Sequence, residues 1–307
     1  MEDFVVETSN LVKTFGRVHA LNGLSMQIPK GISGFVGKNG SGKTTTIGVL
    51  LGLIKANTGQ ATMFGLDCWK SSFEIRQKIG VMHETNAYPG NFSGRRFLTH
   101  VAKLYGITQI DQVITELLND VDLIHAQDKP IKTYSAGMFK RLGLAQALIG
   151  IPELAILDEP TANIDPIGRI TLLEKIKEIH TKHGTSFLIS THILSDLEKI
   201  CNYLLIIDQG KTIDQGYINN LTEKYSANIY KIEVSNTQQF AATLKKIAII
   251  DKVWVENGKI FCKVNDPEVF CAEIPKIVSE LRLPLKGFQQ TLGSLEEIYA
   301  QTVGEKR

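Results

Sequence analysis

The chain has 307 residues, with 34 lysines and arginines against 32 aspartates and glutamates, which gives a formal net charge of +2. This length accommodates one large domain with a sizeable core and a smaller second domain. The near-neutral charge supplies no strong basic field, so the composition argues against a nucleic-acid partner.

The cysteines indicate a reducing compartment, and the hydropathy pattern predicts no membrane-spanning segment. Four cysteines occur without the CxxC spacing of metal sites, namely Cys68, Cys201, Cys262 and Cys271. We expect ordinary thiols at these positions rather than metal ligands. The acidic start at residues 1–3 has no signal-peptide pattern, and no apolar run approaches the ~20 residues that cross a bilayer. We therefore expect a cytosolic chain that only a separate protein can hold at a membrane.

A glycine-rich run follows the first predicted strands. Residues 3–30 alternate apolar and polar side chains, which predicts short antiparallel strands. After an apolar stretch, the run reads Gly37-Lys38-Asn39-Gly40-Ser41-Gly42-Lys43-Thr44. It fits the phosphate-binding loop pattern G-x-x-x-x-G-K-[ST] at every constrained position. A helix-like segment continues from Thr45 to Ile54.

The residue types of this run suit a nucleotide phosphate. Glycines let the backbone curl so that consecutive N–H groups point inward and form an anion nest. The following helix adds its positive N-terminal end. Lys43 can reach the β- and γ-phosphates, and the Thr44 hydroxyl can bind Mg²⁺. The alternative is a glycine-rich turn that binds nothing, which the strand–loop–helix context disfavours.

Strands and helices alternate from there to about residue 217. We predict strands near 59–64, 79–83, 154–157 and 186–189, and helices near 72–78, 94–126, 135–149 and 166–182. Asp165 before Pro166 has the character of an N-cap followed by proline at the first helical position. Such alternation predicts an α/β domain with a mostly parallel sheet.

A pair of carboxylates follows the apolar strand 154–157. In phosphate-loop enzymes a carboxylate at the place of Asp158 holds Mg²⁺. Glu159, one residue further, is positioned to orient or deprotonate an attacking water. Adjacent carboxylates at a strand end are costly unless a cation offsets them. The alternative of solvated acids in a loop is weaker, given the phosphate loop upstream.

The pattern changes at about residues 217–227. We predict strands at 229–234, 250–256, 259–264 and 285–289, with helices at 237–247, 267–281 and near 294–302. Asn257-Gly258 is a strong two-residue hairpin signal between the middle strands. The order β-α-β-β-α-β suggests a small ferredoxin-like split β-α-β unit.

The segment before the carboxylate strand indicates a family. Tyr134-Ser135-Ala136-Gly137-Met138 alone is a small-residue helix start with Ser135 as N-cap. Between the phosphate loop and the carboxylates, it resembles the L-S-G-G-Q signature of the ATP-binding-cassette (ABC) ATPases. Ser135 and Gly137 match the signature serine and final glycine. Tyr134, Ala136 and Met138 depart from it, and Ala136 affects how closely the backbone can approach a phosphate.

Further landmarks follow in the family's order. Phe15 matches the aromatic residue that stacks on adenine, with a core phenylalanine as the equal alternative. Glu84 stands at the place of the Q-loop glutamine, although an ionised carboxylate cannot donate a hydrogen bond. Residues 162–165 resemble the D-loop. His192 matches the switch histidine that contacts the γ-phosphate, whereas a lone histidine near a strand end is usually structural.

The resemblance covers roughly residues 3–220 and implies a fold class. This class is an α/β phosphate-loop NTPase of ABC type, with a mostly parallel sheet core, an antiparallel β subdomain and a helical subdomain. The nucleotide-binding domain would span residues 1–220, with its helical subdomain at about 88–150. An accessory α+β domain would occupy residues 221–307.

The resemblance also implies a site for ATP and Mg²⁺. Glu159 and His192 are the expected catalytic residues. The expected nucleotide contacts are Phe15, Gly37, Lys38, Asn39, Gly40, Ser41, Gly42, Lys43, Thr44, Thr45, Ser135 and Gly137. The metal is expected at Thr44, Glu84 and Asp158. Because Ser135 and Gly137 of one cassette face the phosphate loop of another, a second ABC ATPase subunit is required, most simply a second copy of this chain.

The tail and the signature narrow the subfamily. Residues 293–299, Gly-Ser-Leu-Glu-Glu-Ile-Tyr, resemble the ending of ABC-2-type exporter ATPases, although they also suit a helix that merely caps the small domain. We therefore expect a peripheral subunit on the cytoplasmic face of the membrane, beneath an integral-membrane permease. The alternatives are a soluble ABC ATPase without a transporter, or a regulatory module whose C-terminal domain senses a ligand.

Overall fold

The computed structural model describes residues 4–226, 228–290 and 295–304. Internal contacts group the chain into two compact units, residues 1–218 and residues 219–307. Each unit has a hydrophobic core of its own. In the described residues, no helix has both the length and the apolar character that a membrane span requires.

Strands and helices alternate along most of the described chain. The strands are β1 Phe4–Phe15, β2 Val18–Pro29, β3 Ile32–Val36, β4 Thr58–Met63, β5 Leu66–Asp67, β6 Ile79–Met82, β7 Leu154–Asp158, β8 Ser186–Thr191, β9 Tyr203–Asp208, β10 Lys211–Tyr217, β11 Ile229–Val234, β12 Ile250–Glu256, β13 Lys259–Val264 and β14 Leu285–Gln290. The helices are α1 Lys43–Leu50, α2 Ser72–Lys78, α3 Gly94–Leu104, α4 Ile110–Asp120, α5 Ala136–Ala147, α6 Pro166–His183, α7 Leu194–Ile200, α8 Ile218–Ser226, α9 Thr237–Leu244, α10 Pro267–Glu280 and α11 Leu295–Gly304.

A six-stranded sheet forms the centre of the first unit. Its order is β10-β9-β3-β8-β7-β6, and all neighbours are parallel except β10, which pairs antiparallel with β9 at the edge. Every residue of β3, β7 and β8 is buried, as expected for parallel strands that are covered on both faces. The carboxyl ends of β3, β7 and β8 therefore meet at one edge of the sheet.

A second sheet of the first unit is antiparallel, with the order β2-β1-β4-β5. The prediction of antiparallel strands over residues 3–30 is confirmed, but their predicted shortness was wrong, since β1 and β2 have 12 residues each. Register shifts between β1 and β2 let the long ribbon bend. Its apolar side chains, among them Leu11 and Leu24, join the core of the unit.

Residues 94–126 form two helices rather than one continuous helical segment. Helix α3 ends at Leu104, and α4 begins at Ile110. Between them Gly106 has a φ of +68° and Gln109 has a φ of 55°, so the backbone leaves the right-handed helical region twice. Apolar residues at helical spacing therefore indicate the face that is buried but not the break.

The second unit is built on an antiparallel sheet in the order β12-β13-β11-β14. The predicted strands 229–234, 250–256 and 259–264 are confirmed. Helices α9 and α10 pack on the sheet through Phe240 and Phe270. The predicted last helix is observed as α11, while Gly293 and Ser294 of the tail motif lie outside the described residues.

Candidate functional site

The loop between β3 and α1 requires glycine for steric reasons. A Cβ on Gly37 would lie 2.6 Å from the carbonyl oxygen of Ile207, and one on Gly42 would lie 2.7 Å from that of Ala20. Gly42 also has a φ of +109° and Gly40 a φ of +80°, conformations that other residues rarely adopt. The loop is thus a tight backbone cradle at the N-terminal end of α1.

The side chain of Lys43 packs against this loop. Its Nζ donates to the carbonyl oxygen of Gly37 at 2.6 Å, and the residue is 7% exposed. Burial lowers the pKa of this ammonium, while the negative charges of Glu159, Asp158 and Glu84 raise it. A buried ammonium without an ionic partner is costly, so its surroundings suit an anionic ligand.

A cavity of about 560 Å³ opens beside the loop. Its lining residues come from the loop, from β1 and β2 and from the carboxyl ends of the parallel strands: Phe15, Val18, His19, Ala20, Lys38, Asn39, Gly40, Gly42, Lys43, Thr44, Thr45, Glu84, Asp158, Glu159, Ala162 and His192. Next to the cavity, the Oγ of Ser41 is buried and has no hydrogen-bond partner within the described part of the chain. The cradle, the cation and this unpartnered hydroxyl fit a nucleotide phosphate.

Asp158 is the last residue of β7, Glu159 follows it, and both line this cavity. Asp158 is 8% exposed. Burial raises the pKa of Asp158 and Glu159 adds to this effect, whereas Lys43 and His83 oppose it. The oxygens of Thr44, Glu84 and Asp158 line the same cavity and are the kind of ligand that Mg²⁺ prefers.

Glu159 is held in an unusual backbone conformation. Its φ is 47°, in the left-handed region, and its N–H donates to the carbonyl oxygen of Ser190 at 2.8 Å. The Oγ1 of Thr191 donates to its carboxylate at 3.2 Å. These contacts tie the carboxylate to the end of β8, the neighbouring strand.

His192 contacts the same carboxylate. Its Nδ1 lies 3.0 Å from Oε1 and 3.1 Å from Oε2 of Glu159, and its side chain is 55% exposed. The sequence predicts a γ-phosphate contact for this histidine, and the structure adds a carboxylate contact that the sequence does not show. Nδ1 therefore orients the carboxylate, and the half-exposed residue also lines the cavity.

Phe15 lies at the end of β1 and lines the cavity. It is 49% exposed, so the core-phenylalanine alternative is wrong. The Nζ of Lys13 lies 5.0 Å from the centre of its ring. An exposed aromatic face at the mouth of the cavity can stack on a planar base.

The signature segment does not line the cavity. Ser135 caps α5, since its side chain accepts a hydrogen bond from the N–H of Met138 at 3.2 Å. A Cβ on Gly137 would meet nothing closer than the Cγ2 of Ile164 at 3.6 Å, so packing within the chain does not require glycine there. Within one chain, Ser135 and Gly137 are not brought to the phosphate loop.

Two other predicted positions have clear structural roles. Asp165 is the predicted N-cap of α6, with Oδ1 accepting from the N–H of Gly168 at 2.9 Å, and Pro166 is the first helical residue. Glu84 is exposed, and its carbonyl oxygen accepts a hydrogen bond from Lys140 at 3.0 Å. Glu84 therefore lines the cavity and is anchored through its backbone.

The sequence did not point to several polar residues in or beside this site. Among them are Thr191, His19 and Lys140. Lys140 could have been recognised from the sequence, because it shares one face of α5 with the apolar residues Leu144 and Ala147. A lysine on a buried stripe is unusual and points to specific partners.

A family model described as ABC transporter matches residues 21–162. The bacitracin transport ATP-binding protein BcrA of Bacillus licheniformis is 38% identical over 221 residues, which is 72% of either chain. The daunorubicin/doxorubicin resistance ATP-binding protein DrrA of Streptomyces peucetius is 27% identical over 306 residues, covering 97% of this chain and 92% of its own. The structure of cbiO1 from Clostridium perfringens, part of the ABC transporter complex cbiONQ, is 25% identical with a TM-score of 0.66 and covers 73% of this chain and 92% of its own.

The fold and the cavity define a phosphate-loop nucleotide-binding protein, and the relatives narrow this class. The chain belongs to the ABC transporter family and is an ATP-binding subunit of that family. The predicted fold class and family are therefore confirmed. Membership implies ATP hydrolysis and a membrane-embedded permease as partner.

Proposed function

We propose that this chain is the Mg²⁺-dependent ATPase subunit of an exporter and that it powers transport by closing as a dimer around ATP. The observation that carries the proposal is the placement of the Glu159 carboxylate. It lines the same cavity as the phosphate loop and is held by Thr191 and His192.

The nucleotide contacts follow the lining of the cavity. Backbone N–H groups of residues 37–45 would hold the phosphates, with Lys38, Asn39 and Ser41 inside this run. Lys43 would exchange its bond to the Gly37 carbonyl for a phosphate oxygen, and Phe15 would stack on adenine. The buried ammonium then gains the ionic partner that the protein alone does not supply.

The metal would lie among the oxygens of Thr44, Glu84 and Asp158. Mg²⁺ supplies charge neutralisation to the phosphate oxygens when it is bound. The raised pKa of Asp158 and the adjacent carboxylate of Glu159 support a cation at this place, because a positive charge relieves both.

Glu159 would accept the proton of the attacking water. Its carboxylate is fixed by the hydroxyl of Thr191 and by Nδ1 of His192, so it keeps one orientation while it acts as a base. With Nδ1 committed to Glu159, the exposed part of the His192 ring would meet the γ-phosphate. In this arrangement His192 links the base to the group that is attacked.

A second cassette would complete the site. Ser135 and Gly137 do not line the cavity of their own chain, and packing within the chain does not require glycine at Gly137. A close approach by the phosphate of another subunit explains both facts. The closure would bring the N-terminal ends of α1 and of the partner's α5 to the same phosphate.

Export rather than import is favoured by the relatives. Bacitracin transport and daunorubicin/doxorubicin resistance are the roles in the names of two of them. We propose that this chain lies at the cytoplasmic face of the membrane beneath a permease that moves a compound outward.

Replacing Glu159 tests the proposal. Glu159→Gln preserves shape but removes the base, so the purified variant should bind ATP with parental affinity and hydrolyse it at least ~100-fold more slowly. ATP binding is measured by calorimetry and phosphate release by a coupled assay. Glu153→Gln is the matched control, because Glu153 is an exposed carboxylate that pairs with Lys78.

Comparing the two variants distinguishes the loss of the base at Glu159 from the general effect of removing one negative charge. The proposal is wrong if Glu159→Gln hydrolyses ATP at the parental rate. It is also wrong if neither the parent chain nor Glu153→Gln hydrolyses ATP in the presence of Mg²⁺.

A further inference from the structure

Lys140 is a buried lysine that the proposed chemistry does not use. It lies on α5, the helix that begins at the signature residue Ser135, and it is 7% exposed. Lysines are almost never buried without partners, because the ammonium loses its hydration. Its burial therefore requires compensation inside the protein.

The partners of Lys140 come from two separate loops of the site. Its Nζ donates to the carbonyl oxygen of Glu84 at 3.0 Å and to that of Glu159 at 3.1 Å. Both acceptors belong to residues that line the nucleotide cavity. One ammonium thus joins the signature helix, the loop after β6 and the loop after β7.

The bond from Lys140 to Glu159 holds a residue whose backbone has an unfavourable conformation. Glu159 has a φ of 47°, which costs conformational energy in any residue with a β-carbon. Its N–H is fixed by Ser190 and its carboxylate by Thr191 and His192. The remaining group, the carbonyl oxygen, accepts from Lys140 at 3.1 Å and from the N–H of Ala162 at 3.2 Å, and only Lys140 also bonds the loop after β6.

The charge around Lys140 matches this role. Burial lowers the pKa of Lys140, and the nearby carboxylates of Glu84, Glu159 and Asp158 offset only part of this lowering. A protonated lysine has three donors, of which two are used here. An apolar side chain of similar length would leave both carbonyl groups without this donor.

We propose that Lys140 is a positioning residue for ATP hydrolysis, which holds the backbone of Glu159 and ties it to the signature helix of the same chain. This inference rests on the proposed role of Glu159 as the base. Through this bond, the signature helix is physically connected to the residue proposed as the base. Ser135 would contact ATP in the partner's site, and Lys140 on the same helix sets the geometry of Glu159 in its own site.

The test compares Lys140→Met with Lys140→Gln in the full-length chain. Methionine keeps the length and loses every donor, whereas glutamine keeps two donors without the charge. We measure kcat, KM and the affinity for ATP by calorimetry, together with the thermal midpoint. Lys129→Met is the matched control at an exposed lysine.

For Lys140→Met we expect kcat to fall ~10- to 100-fold while the ATP dissociation constant stays within about threefold, because the base is displaced and the phosphate loop is not. Lys140→Gln should recover part of kcat, because its amide can still donate to a carbonyl. A purely structural role would lower the thermal midpoint and leave kcat of the folded fraction unchanged.

A folded Lys140→Met variant with parental kcat overturns the inference, and so does equal loss of kcat and of ATP affinity. If Lys140→Met does not fold, Lys140→Gln decides, and parental kcat in that variant overturns the inference. A parent chain that does not hydrolyse ATP would instead overturn the proposed function, and the inference with it.

Discussion

At the residue scale, the chemistry depends on how the charged side chains are held. Lys43 is buried against the carbonyl oxygen of Gly37 and has no carboxylate in contact within the described part of the chain. Glu159 is fixed by Thr191 and His192. The cation is thus available to a ligand, whereas the carboxylate is locked in one orientation.

Replacing Lys43 tests the first of these statements. A charge-assisted hydrogen bond contributes about 1.5–3 kcal/mol, so Lys43→Met should weaken ATP binding by at least about tenfold. Calorimetry with ATP and Mg²⁺ measures the change. Lys103→Met, at an exposed lysine of α3, should bind like the parent, and equal affinity of both variants would contradict the assigned role of Lys43.

Much of this site could be predicted from the sequence, but its connections could not. The phosphate loop and the carboxylate pair are local patterns in which residue type and spacing carry the chemistry. The bond from Lys140 to the carbonyl oxygen of Glu159 joins residues far apart in sequence through a backbone group. No residue type encodes such an acceptor, since every residue has a carbonyl.

At the scale of elements, strand β6 and helix α5 approach each other unusually closely. A Cβ on Gly80 in β6 would collide with the carbonyl oxygen of Ala147 at the end of α5. The helix that begins at the signature therefore ends directly on the central sheet. This packing fixes the position of α5 and with it that of Ser135.

Gly80→Ala should destabilise the first unit by about 1–3 kcal/mol or more, because neither backbone can move without disturbing the sheet. Chemical unfolding followed by circular dichroism reports on the helices and strands of both units, so it covers this variant and its control. In Gly287→Ala the nearest atom to the new Cβ lies at an ordinary 3.6 Å, so we expect a change of less than ~1 kcal/mol there. Equal effects would refute the close-packing account.

A charged cluster joins the end of α4 to the end of α6. Asp120 accepts from the Nζ of Lys182 at 2.6 Å and contacts Nε2 of His183 at 2.7 Å. Burial raises the pKa of Asp120, but the bonds to Lys182 and His183 together outweigh it, and the net pKa lies below the usual 3.8. The ionised carboxylate is thus the form that the folded chain stabilises.

A lowered carboxyl pKa contributes stability above the unfolded value, and this is lost as the pH falls through the folded value. Asp120→Asn should therefore lower the thermal midpoint at pH 7, and its difference from the parent should shrink between pH 5 and pH 3. Asp111→Asn is the control, because Asp111 has a side chain that is 97% exposed and a distant pairing with Arg95. A pH-independent difference for Asp120→Asn would contradict this reading.

The elements themselves could be predicted to different extents. Strands 250–256 and 259–264 could be placed to the residue because alternation and the Asn257-Gly258 turn specify the same register. The break within 94–126 could not, since Gln109 in the left-handed region is a tertiary requirement that its residue type does not signal. Hairpin turns are local, whereas helix breaks depend on what the helix packs against.

At the scale of the whole molecule, we propose that one chain holds half of each ATP site. The phosphate loop, Asp158, Glu159 and His192 line one cavity, but Ser135 and Gly137 do not reach it. The family resemblance predicts that the signature residues act in the site of another subunit, and their absence from the cavity of their own chain agrees with this prediction. In the proposed site, a partner brings its signature segment to the nucleotide.

The most direct measurement is the mass of Glu159→Gln by analytical ultracentrifugation, with and without ATP and Mg²⁺. We expect a single chain without nucleotide and a pair of chains with it, because the slow variant does not cleave off the γ-phosphate. Adding Ser135→Arg should abolish the pairing while each chain still binds ATP. A Glu159→Gln chain that stays single with ATP bound, or a pairing that survives Ser135→Arg, would contradict the shared site.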